Sequence, residues 1–292
     1  MTTPPPVPEG SKAKVTLTGT PATLLLSLTA RVQDCHSPDP ILNDKWAEYV
    51  ADQIDYDYSA MGVHGTIRDT LSARGFYFDQ WTREFLDLHK NEDVTILYIA
   101  CGLDARTHRV QWGSNVRWID LDLPDVVELR RKLLPEPSGD YTLLAGSALD
   151  DSVLSSIPND RPTAIIIEGL LFYLEEAQAL ELIRRLCSHF PSGELMFDTM
   201  SPAVVSMQKW RRSLSSGFSL GDWMQRQGAG FASGIADPAA LEKLHPGLKL
   251  QTKIAWTEME RIKHPTMGHR FLQLLAWLPI PALNGYNLRF TF

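Results

Sequence analysis

The spacing of hydrophobic residues changes near residue 93 of the chain. Before that point, apolar positions recur at helical spacing, as in Leu24, Leu25, Leu28 and Val32, and again across residues 46–54. After it, short β-branched runs bounded by turn residues alternate with amphipathic segments. The pattern predicts several N-terminal helices followed by an α/β region.

Strands and helices of the α/β region can be placed from the same pattern. Strands are predicted at residues 94–100, 115–122, 140–146, 163–169, 194–200, 248–256 and 286–292. Helices are predicted at residues 123–134, 176–190 and 268–278. Because the first five strands alternate with helical segments, they predict an open, mostly parallel sheet with helices on both faces. The last two predicted strands, at 248–256 and 286–292, are expected to form an antiparallel pair at the edge of this sheet.

Composition narrows the class of protein. A net charge of -7 and short basic clusters argue against nucleic-acid binding. Three scattered cysteines exclude a disulfide framework or a CxxC metal site, and no His/Cys/Asp cluster has metal-ligand spacing. The apolar stretch at 271–283 is broken by prolines and too short to span a membrane. Residues 1–14 are Pro-rich and polar, without signal-peptide features, so we expect a disordered leader on a cytoplasmic protein.

A small-residue turn follows the first predicted strand. Residues 98–110 read YIACGLDARTHRV, and in open parallel sheets ligands bind at such carboxyl ends. Of the glycines in a nucleotide-binding GxGxxG motif, only Gly102 is present. An ordinary strand–helix turn therefore explains these small residues equally well. The next strand ends in Asp120 and Asp122, about 20 residues beyond the glycine, where a carboxylate holds a ribose. These acids could instead cap the helix that follows.

Five stretches allow a family to be suggested. They are TARVQDCHSPDPILND at 29–44, ARGFYFDQW at 73–81, YIACGLDARTHRV at 98–110, WIDLDLPDVVELRRKLL at 118–134 and IIIEGLLFYL at 165–174. In these stretches the chain resembles the leucine carboxyl methyltransferase family. It is similar within that family to the O-methyltransferases of polyketide and fungal secondary metabolism.

The resemblance implies a fold and a cofactor. The implied fold is the class I methyltransferase Rossmann-like sheet, and the cofactor is S-adenosyl-L-methionine. We expect a single domain over 15–292. Its parts would be a helical lid (15–92), a cofactor-binding core (93–200), an aromatic cap insertion (201–247) and C-terminal strands (248–292). The cap insertion could equally form a homodimer contact.

The resemblance also implies a cofactor site. Arg74 would grip the methionine carboxylate bidentately, Asp122 would bind the ribose hydroxyls with Asp120 as the second candidate, and Glu168 would lie beneath the methionine half. The full implied set is Arg74, Ala100, Gly102, Asp120, Asp122, Ser147, Ala148 and Glu168.

Two of these positions depart from the family pattern. Ala100 stands where many members have glycine, and Ser147 stands where they have an aspartate that reaches adenine. A hydroxyl can still bond the adenine amine, but without charge assistance. Both changes could weaken cofactor binding, so loss of methyl transfer stays open.

The aromatic-rich lid segment next to Arg74 offers candidates for acceptor binding. Tyr56, Tyr58, Phe76 and Tyr77 could line an acceptor pocket, although aromatic residues at helical spacing also pack in cores.

A general base is needed only for some acceptors. A carboxylate acceptor is already ionised, whereas a phenol must lose its proton. His64, Asp198 and Tyr173 are the catalytic candidates; His64 lies between glycines and could be an ordinary loop residue, and Tyr173 could only pack.

The sequence therefore supports two functions. The first is an S-adenosylmethionine-dependent O-methyltransferase acting on a carboxyl or phenolic hydroxyl of a small, aromatic or polyketide-like metabolite. The alternative is a methyltransferase fold that catalyses cyclisation or isomerisation without methyl transfer. An interaction module is a distant third, since a buried Glu168 would then have no purpose.

Overall fold

A computed structural model gives the fold, and it describes residues 2–8, 10, 12–15, 17–63, 65–212, 223–224, 226–276 and 284–292. The N-terminal region is helical, as predicted. Its helices are α1 (Leu24–Cys35), α2 (Lys45–Asp52) and α3 (Thr66–Leu88). A short parallel pair of strands, β1 (Ala13–Lys14) and β2 (Ile54–Asp55), joins the start of this region to the end of α2.

A seven-stranded sheet forms the centre of the molecule. Its strands are β3 (Val94–Ile99), β4 (Val116–Asp122), β5 (Asp140–Ala145), β6 (Thr163–Ile167), β7 (Gly193–Met200), β8 (Lys249–Ala255) and β9 (Gly285–Thr291). They lie in the order β5-β4-β3-β6-β7-β9-β8. The first five are parallel, and β9 runs antiparallel between β7 and β8. The predicted mostly parallel sheet with an antiparallel last strand is confirmed.

Further helices connect the strands. They are α4 (Arg106–Arg109), α5 (Pro124–Leu133), α6 (Asp151–Ser156), α7 (Glu176–His189), α8 (Pro202–Arg212) and α9 (Met267–Ala276). Short 3-10 turns occur at Thr20–Thr23, Tyr58–Met61, Leu171–Tyr173, Pro238–Leu244 and Trp256–Glu258. Among the described helices, none is long and apolar enough to cross a lipid bilayer.

Local sequence explains where the two predicted core helices begin. Pro124 occupies the first turn of α5, where its missing N–H has no helical partner to lose. At α7, Glu175 and Gln178 form a reciprocal capping box. The apolar stripe of α7 then packs against one face of the sheet, and α3 covers the other face with Phe78, Trp81 and Phe85. Between these layers β3 and β6 are completely buried.

The strand order reverses between β3 and β6. The chain runs outward from β3 through β4 to β5, then returns to the other side of β3 with β6 and β7. In open α/β sheets a crevice forms at the carboxyl ends of the strands at this switch point. The fold alone therefore locates the candidate site.

Residues of the predicted leader make defined contacts. The backbone N–H and hydroxyl of Thr2 both donate to the carbonyl of His108, at 3.1 and 2.8 Å. The Trp46 indole N–H donates to the Thr2 carbonyl at 2.9 Å. The structure thus attaches this segment to the lid and the core, where the sequence predicts disorder.

The loop between α1 and α2 is built around a buried carboxylate. Asp34 is fully buried, and its oxygens accept the backbone N–H groups of Ile41, Leu42 and Asn43 at 2.8, 2.9 and 2.9 Å. Asn43 has a positive φ of 54°, which asparagine tolerates better than most residues. One side chain thereby fixes three consecutive amides, two of which belong to the buried residues Ile41 and Leu42 and would otherwise have no partner.

We predict that Asp34→Ala lowers the free energy of unfolding by about 3 kcal/mol or more, because charge-assisted bonds to three amides are lost. Asp34→Asn should lower it less, since one amide oxygen can still accept. Asp39→Ala, in the same loop but exposed, should change it by no more than about 0.5 kcal/mol. Urea denaturation measures all three. Equal effects of Asp34→Ala and Asp39→Ala would contradict this account.

Candidate active site

A cavity of about 260 Å³ opens at the switch point. The sheet side consists of the ends of β3 and β4 and the loops that follow β3, β4, β5 and β6, at residues 98–104, 121–123, 126, 146–149, 168–170, 173 and 174. The lid side consists of part of the segment 20–31, together with Arg74 of α3. The predicted lid and the predicted core thus enclose one space between them.

The turn after β3 is strained at one residue. Ala100 has φ +56° and Gly102 has φ +52°, both in the left-handed region that disfavours a Cβ. A Cβ built on Gly102 would lie 3.4 Å from Cβ of Leu24, so α1 packs closely on this turn. Glycine suits both positions, and the chain places alanine at the first.

Asp122 connects this turn to the end of β4. Its oxygens accept the backbone N–H groups of Gly102 at 2.7 Å and Leu123 at 2.8 Å, and the residue lines the cavity. Each carboxylate oxygen can accept a second hydrogen bond, so two acceptor positions are left. Burial raises the pKa of Asp122, against the backbone N–H groups that favour its charged form.

Asp120, the second ribose candidate, does not reach the cavity. It lies two residues deeper in β4, about 7 Å from Asp122 along the strand. It is fully buried and accepts hydrogen bonds from Arg130 at 2.6 Å, Trp118 at 2.9 Å and Tyr141 at 2.9 Å. This carboxylate holds α5 and β5 against β4, and the structure does not support it as a sugar ligand.

The loop after β5 contributes the predicted polar residue. Ser147 and Ala148 line the cavity beside Leu149. The Ser147 hydroxyl oxygen accepts the backbone N–H of Leu149 at 3.2 Å, which leaves its proton available to donate.

Arg74 and Glu168 line the opposite end of the cavity and bind each other. Arg74 Nε donates to Glu168 at 3.0 Å, Nη1 donates to Asp198 at 2.9 Å and Nη2 donates to the Ser27 hydroxyl at 3.3 Å. Burial acts to raise the pKa of Glu168, but the guanidinium groups of Arg74 and Arg106 outweigh it and hold that pKa below its usual range. Glu168 is therefore ionised at neutral pH.

These residues belong to a larger buried cluster that we call the ion network. Its members are Arg31, Arg74, Arg106, Arg109, Asp44, Asp79, Asp104, Glu168 and Asp198.

Within the ion network, each central arginine bridges several carboxylates. Arg106 joins Asp79 at 2.8 Å to Glu168 at 2.7 Å, and Arg109 joins Asp79 at 2.6 Å to Asp44 at 2.7 Å. The side chains of these residues are all 6% exposed or less.

The predicted catalytic residues are not brought together. Tyr173 lines the cavity. Asp198 does not, because Arg74 and the backbone N–H of Gly169, at 2.6 Å, engage its two oxygens. Burial raises the pKa of Asp198, against the attraction of Arg74. His64 lies outside the described residues.

The predicted acceptor residues lie away from this cavity. Tyr56 accepts a hydrogen bond from the Trp223 indole at 3.0 Å, and Tyr58 packs beside it. Phe76 and Tyr77 pack against Met259 and Ile262. A helix turns by about 100° per residue, so Phe76 projects from nearly the opposite side of α3 to Arg74.

The described part of the cap insertion docks on the loop after β6. Backbone N–H groups of Ala232 and Ile235 donate to the carbonyls of Phe172 and Met200, at 2.8 and 2.9 Å. Phe231 packs against Phe172 and Tyr173, with ring centroids 5.0 and 5.5 Å apart. This loop begins at Glu168, so the cap insertion contacts the same segment that lines the cavity.

Sequence reasoning missed several residues of the cavity. Ser27 and Arg31 lie one helical turn apart on α1, and Tyr98 and Asp104 flank the turn after β3. Ser27 and Arg31 interrupt the apolar pattern of α1 with i, i+4 spacing, which is the signal that could have identified them. Within the described ranges, no group of three or more His, Cys, Asp or Glu side chains is arranged to hold a metal ion.

Comparison with known sequences identifies the family. The leucine carboxyl methyltransferase model matches residues 25–187, which is more than half of the chain. The chain therefore belongs to this family, as the sequence motifs indicate.

Two relatives match over most of their length. Tetracenomycin polyketide synthesis O-methyltransferase TcmP of Streptomyces glaucescens is 36% identical over 246 residues, covering 84% of this chain and 86% of the relative. The S-adenosyl-L-methionine-dependent methyltransferase dpfgK of Gibberella zeae is 33% identical over 260 residues, covering 83% and 84%. These relatives confirm the predicted similarity to methyltransferases of bacterial polyketide synthesis and of fungi. The name of the second relative includes the predicted cofactor.

Solved structures agree on the fold. A DUF574 family protein from Streptomyces avermitilis superposes with a TM-score of 0.54 at 15% identity, covering 90% of this chain and 96% of its own. A SAM-dependent methyltransferase from Anabaena variabilis gives 0.51 at 12% identity, covering 84% and 90%. At this identity the likeness concerns the fold alone.

The strain at the turn after β3 can be tested by exchanging its small residues. The left-handed conformation costs an L-residue about 1–2 kcal/mol, and extra freedom of glycine in the unfolded chain offsets about 0.4–1 kcal/mol of any relief. We therefore predict that Ala100→Gly leaves the free energy of unfolding unchanged or raises it by up to about 1 kcal/mol.

Gly102→Ala is the matched reverse change, to which the same offset applies, so it should lower the free energy of unfolding by up to about 1 kcal/mol. Urea denaturation at one temperature measures both variants. Destabilisation by Ala100→Gly of the same size would show that residue 100 is unstrained.

Proposed function

We propose that this protein is an S-adenosyl-L-methionine-dependent O-methyltransferase that acts on a carboxyl or phenolic hydroxyl of a small, polyketide-like metabolite. The observation that carries the proposal is the cavity at the switch point. A carboxylate with two open acceptor positions lies at one end of it, and a charged cluster lies at the other. Family membership and the names of the two relatives support the class of reaction.

The residues of the cavity suit this cofactor chemically. Asp122 can accept both hydroxyls of a ribose, and Ser147 can bond an adenine edge. Three carboxylates, Asp104, Asp122 and Glu168, line the cavity with only two guanidiniums, Arg31 and Arg74. An excess of acid favours a ligand of net positive charge, as the sulfonium cofactor is.

When bound, the cofactor would supply an electrophilic methyl group to an acceptor oxygen, with S-adenosyl-L-homocysteine as the leaving group. The chain's own residues orient the reactants and exclude water, and such positioning can supply much of the rate. The lid side of the cavity includes Thr20, Pro21, Thr23 and Leu24. The backbone N–H of Gly19 donates to the carbonyl of Gln227 at 2.6 Å, which joins this segment to the cap insertion.

A proton acceptor is required only for a phenol. Tyr173 is the one of our three catalytic candidates that reaches the cavity in the described part of the chain. A carboxyl acceptor needs no base, so the proposal covers both acceptor groups.

We predict that Asp122→Ala weakens S-adenosyl-L-methionine binding roughly 10- to 100-fold, because the bonds to the ribose are made by an ionised group. Isothermal titration calorimetry measures the dissociation constants. The control is Asp125→Ala, which removes a carboxylate three residues away in the first turn of α5 and outside the cavity. Equal affinities of the two variants would refute the assigned role of Asp122.

Product mass separates the two functions that the sequence leaves open. We predict that incubation with the cofactor and a panel of aromatic carboxylic acids and phenols yields a product heavier by one methylene unit. Alkaline hydrolysis would release an ester but not an ether, which identifies the acceptor group. Conversion of an acceptor to an isomer of unchanged mass would instead establish cyclisation or isomerisation.

A further inference from the structure

A second cavity lies on the side of α3 that faces away from Arg74. Its volume is about 260 Å³, and it is bounded by α3, the loop after α1 and Arg261 of the segment that follows β8. Ile41, Leu42 and Phe76 give it an apolar wall. Among the described residues, none lines both this cavity and the one at the switch point. We call it the lateral cavity.

Two guanidinium groups set the charge of the lateral cavity. Its charged lining residues are Arg83, Arg261 and Asp79. Asp79 accepts hydrogen bonds from Arg106 at 2.8 Å and from Arg109 at 2.6 Å, so its charge is offset within the ion network. Arg83 approaches Asp79 no closer than 3.5 Å. The lateral cavity therefore has surplus positive charge, on a chain whose net charge is -7.

The guanidinium of Arg261 is held in a defined orientation. Its Nε and Nη2 donate to the carbonyls of Ile41 and Pro40 at 3.3 and 3.4 Å, and its central carbon lies 5.0 Å from the centre of the Phe76 ring. Its Nη1 has no hydrogen bond or ion pair with any residue that the structure describes. A side chain that is already oriented loses less conformational freedom when a ligand binds.

Arg83 supplies a second set of donors. Its side chain is 37% exposed, and its contact with Asp79 uses only Nη2. Its Nε and Nη1 bond no residue within the described ranges. Because arginine binds carboxylates through pairs of N–H groups, both guanidiniums can bond an anion and still keep their present partners.

We propose that the lateral cavity is a binding site for a small aromatic carboxylate. Arg83 and Arg261 attract the carboxylate, and the ring packs against the apolar wall. A volume of about 260 Å³ lies just below the range of pockets that hold drug-sized ligands, which limits the ligand to one or two rings. The inference goes beyond the proposed function, because it concerns a different cavity and involves no methyl transfer.

Both parts of such a ligand are needed. An inorganic anion would leave the wall of Ile41, Leu42 and Phe76 in contact with water, and burial of that wall is a main source of binding energy. A neutral ring would leave the surplus positive charge without a partner. Methylation of the carboxylate would remove the charge that the lateral cavity selects, so this site distinguishes an acid from its methyl ester.

Benzoate and benzamide are matched probes for this site, since they share ring and shape but only benzoate is charged. We expect benzoate to bind the wild-type chain, without cofactor, with a dissociation constant of about 1 mM. Benzamide and acetate should each bind about fivefold more weakly or worse, because one lacks the charge and the other lacks the ring. NMR titration of the ligand signals measures all three.

Substitution of each guanidinium locates the site. Arg83→Gln and Arg261→Gln should each weaken benzoate binding about 5- to 20-fold, since a charge-assisted hydrogen bond is lost at a partly exposed position. Binding of benzamide should stay the same. The control is Arg184→Gln, which removes the same charge from an exposed position of α7 on the other face of the sheet. Arg261→Lys keeps the charge without the fork and should show an intermediate loss.

Thermal unfolding checks that each variant is folded. Arg83 is partly exposed, so Arg83→Gln decides the test if Arg261→Gln does not fold. Equal binding of benzoate and benzamide would overturn the inference, because charge would then play no part. Equal losses in all three glutamine variants, or no loss in Arg83→Gln and Arg261→Gln, would show that benzoate binds elsewhere. Absence of binding at about ten times the expected dissociation constant would also refute the site.

Discussion

The ion network is the constraint on which the rest of this structure depends. Charges withdrawn from water must be paired, and removing one partner of a buried pair costs about 3–5 kcal/mol. Here the partners come from distant parts of the chain: Arg31 from α1, Asp79 from α3, Arg109 from α4 and Glu168 from the end of β6. The position of the lid helices over the sheet is therefore set by the geometry of guanidinium forks as well as by apolar packing. The lid cannot slide without leaving a carboxylate unpaired.

The ion network also sets the balance of charge around the cavity. Its described members comprise four arginines and five carboxylates, so the balance is acidic next to the cavity. Arg109 and Arg106 outweigh burial and lower the pKa of Asp79, which keeps that carboxylate charged in the interior. A site of this kind favours a cation overall. The family's sulfonium cofactor, S-adenosyl-L-methionine, carries such a net positive charge.

The sequence predicted the structure correctly where the position of a residue depends only on the neighbouring residues in the chain. The strands were predictable because β-branched runs between turns have few alternatives. The position of Asp122 and Glu168 at the cavity was predictable because each directly ends or follows such a strand. It failed where the answer depended on which face of a helix meets the sheet. Phe76 was expected beside Arg74 but projects from the other side of α3, and Arg31 was missed because its ion partners are remote in sequence. The left-handed backbone at Ala100 is likewise set by the tertiary turn, although the missing glycine pointed to it.

The cap insertion is attached to the core by main-chain hydrogen bonds as well as by side-chain packing. Carbonyls of Phe172 and Met200 accept backbone N–H groups of the segment that contains Ala232 and Ile235. Bonds of this kind do not depend on side-chain identity at either end. Substitutions in this segment can therefore change its side chains while these main-chain bonds are kept, and they leave Asp122 untouched. Such an attachment lets the surface of the cap diverge among relatives while the residues that line the cavity stay the same.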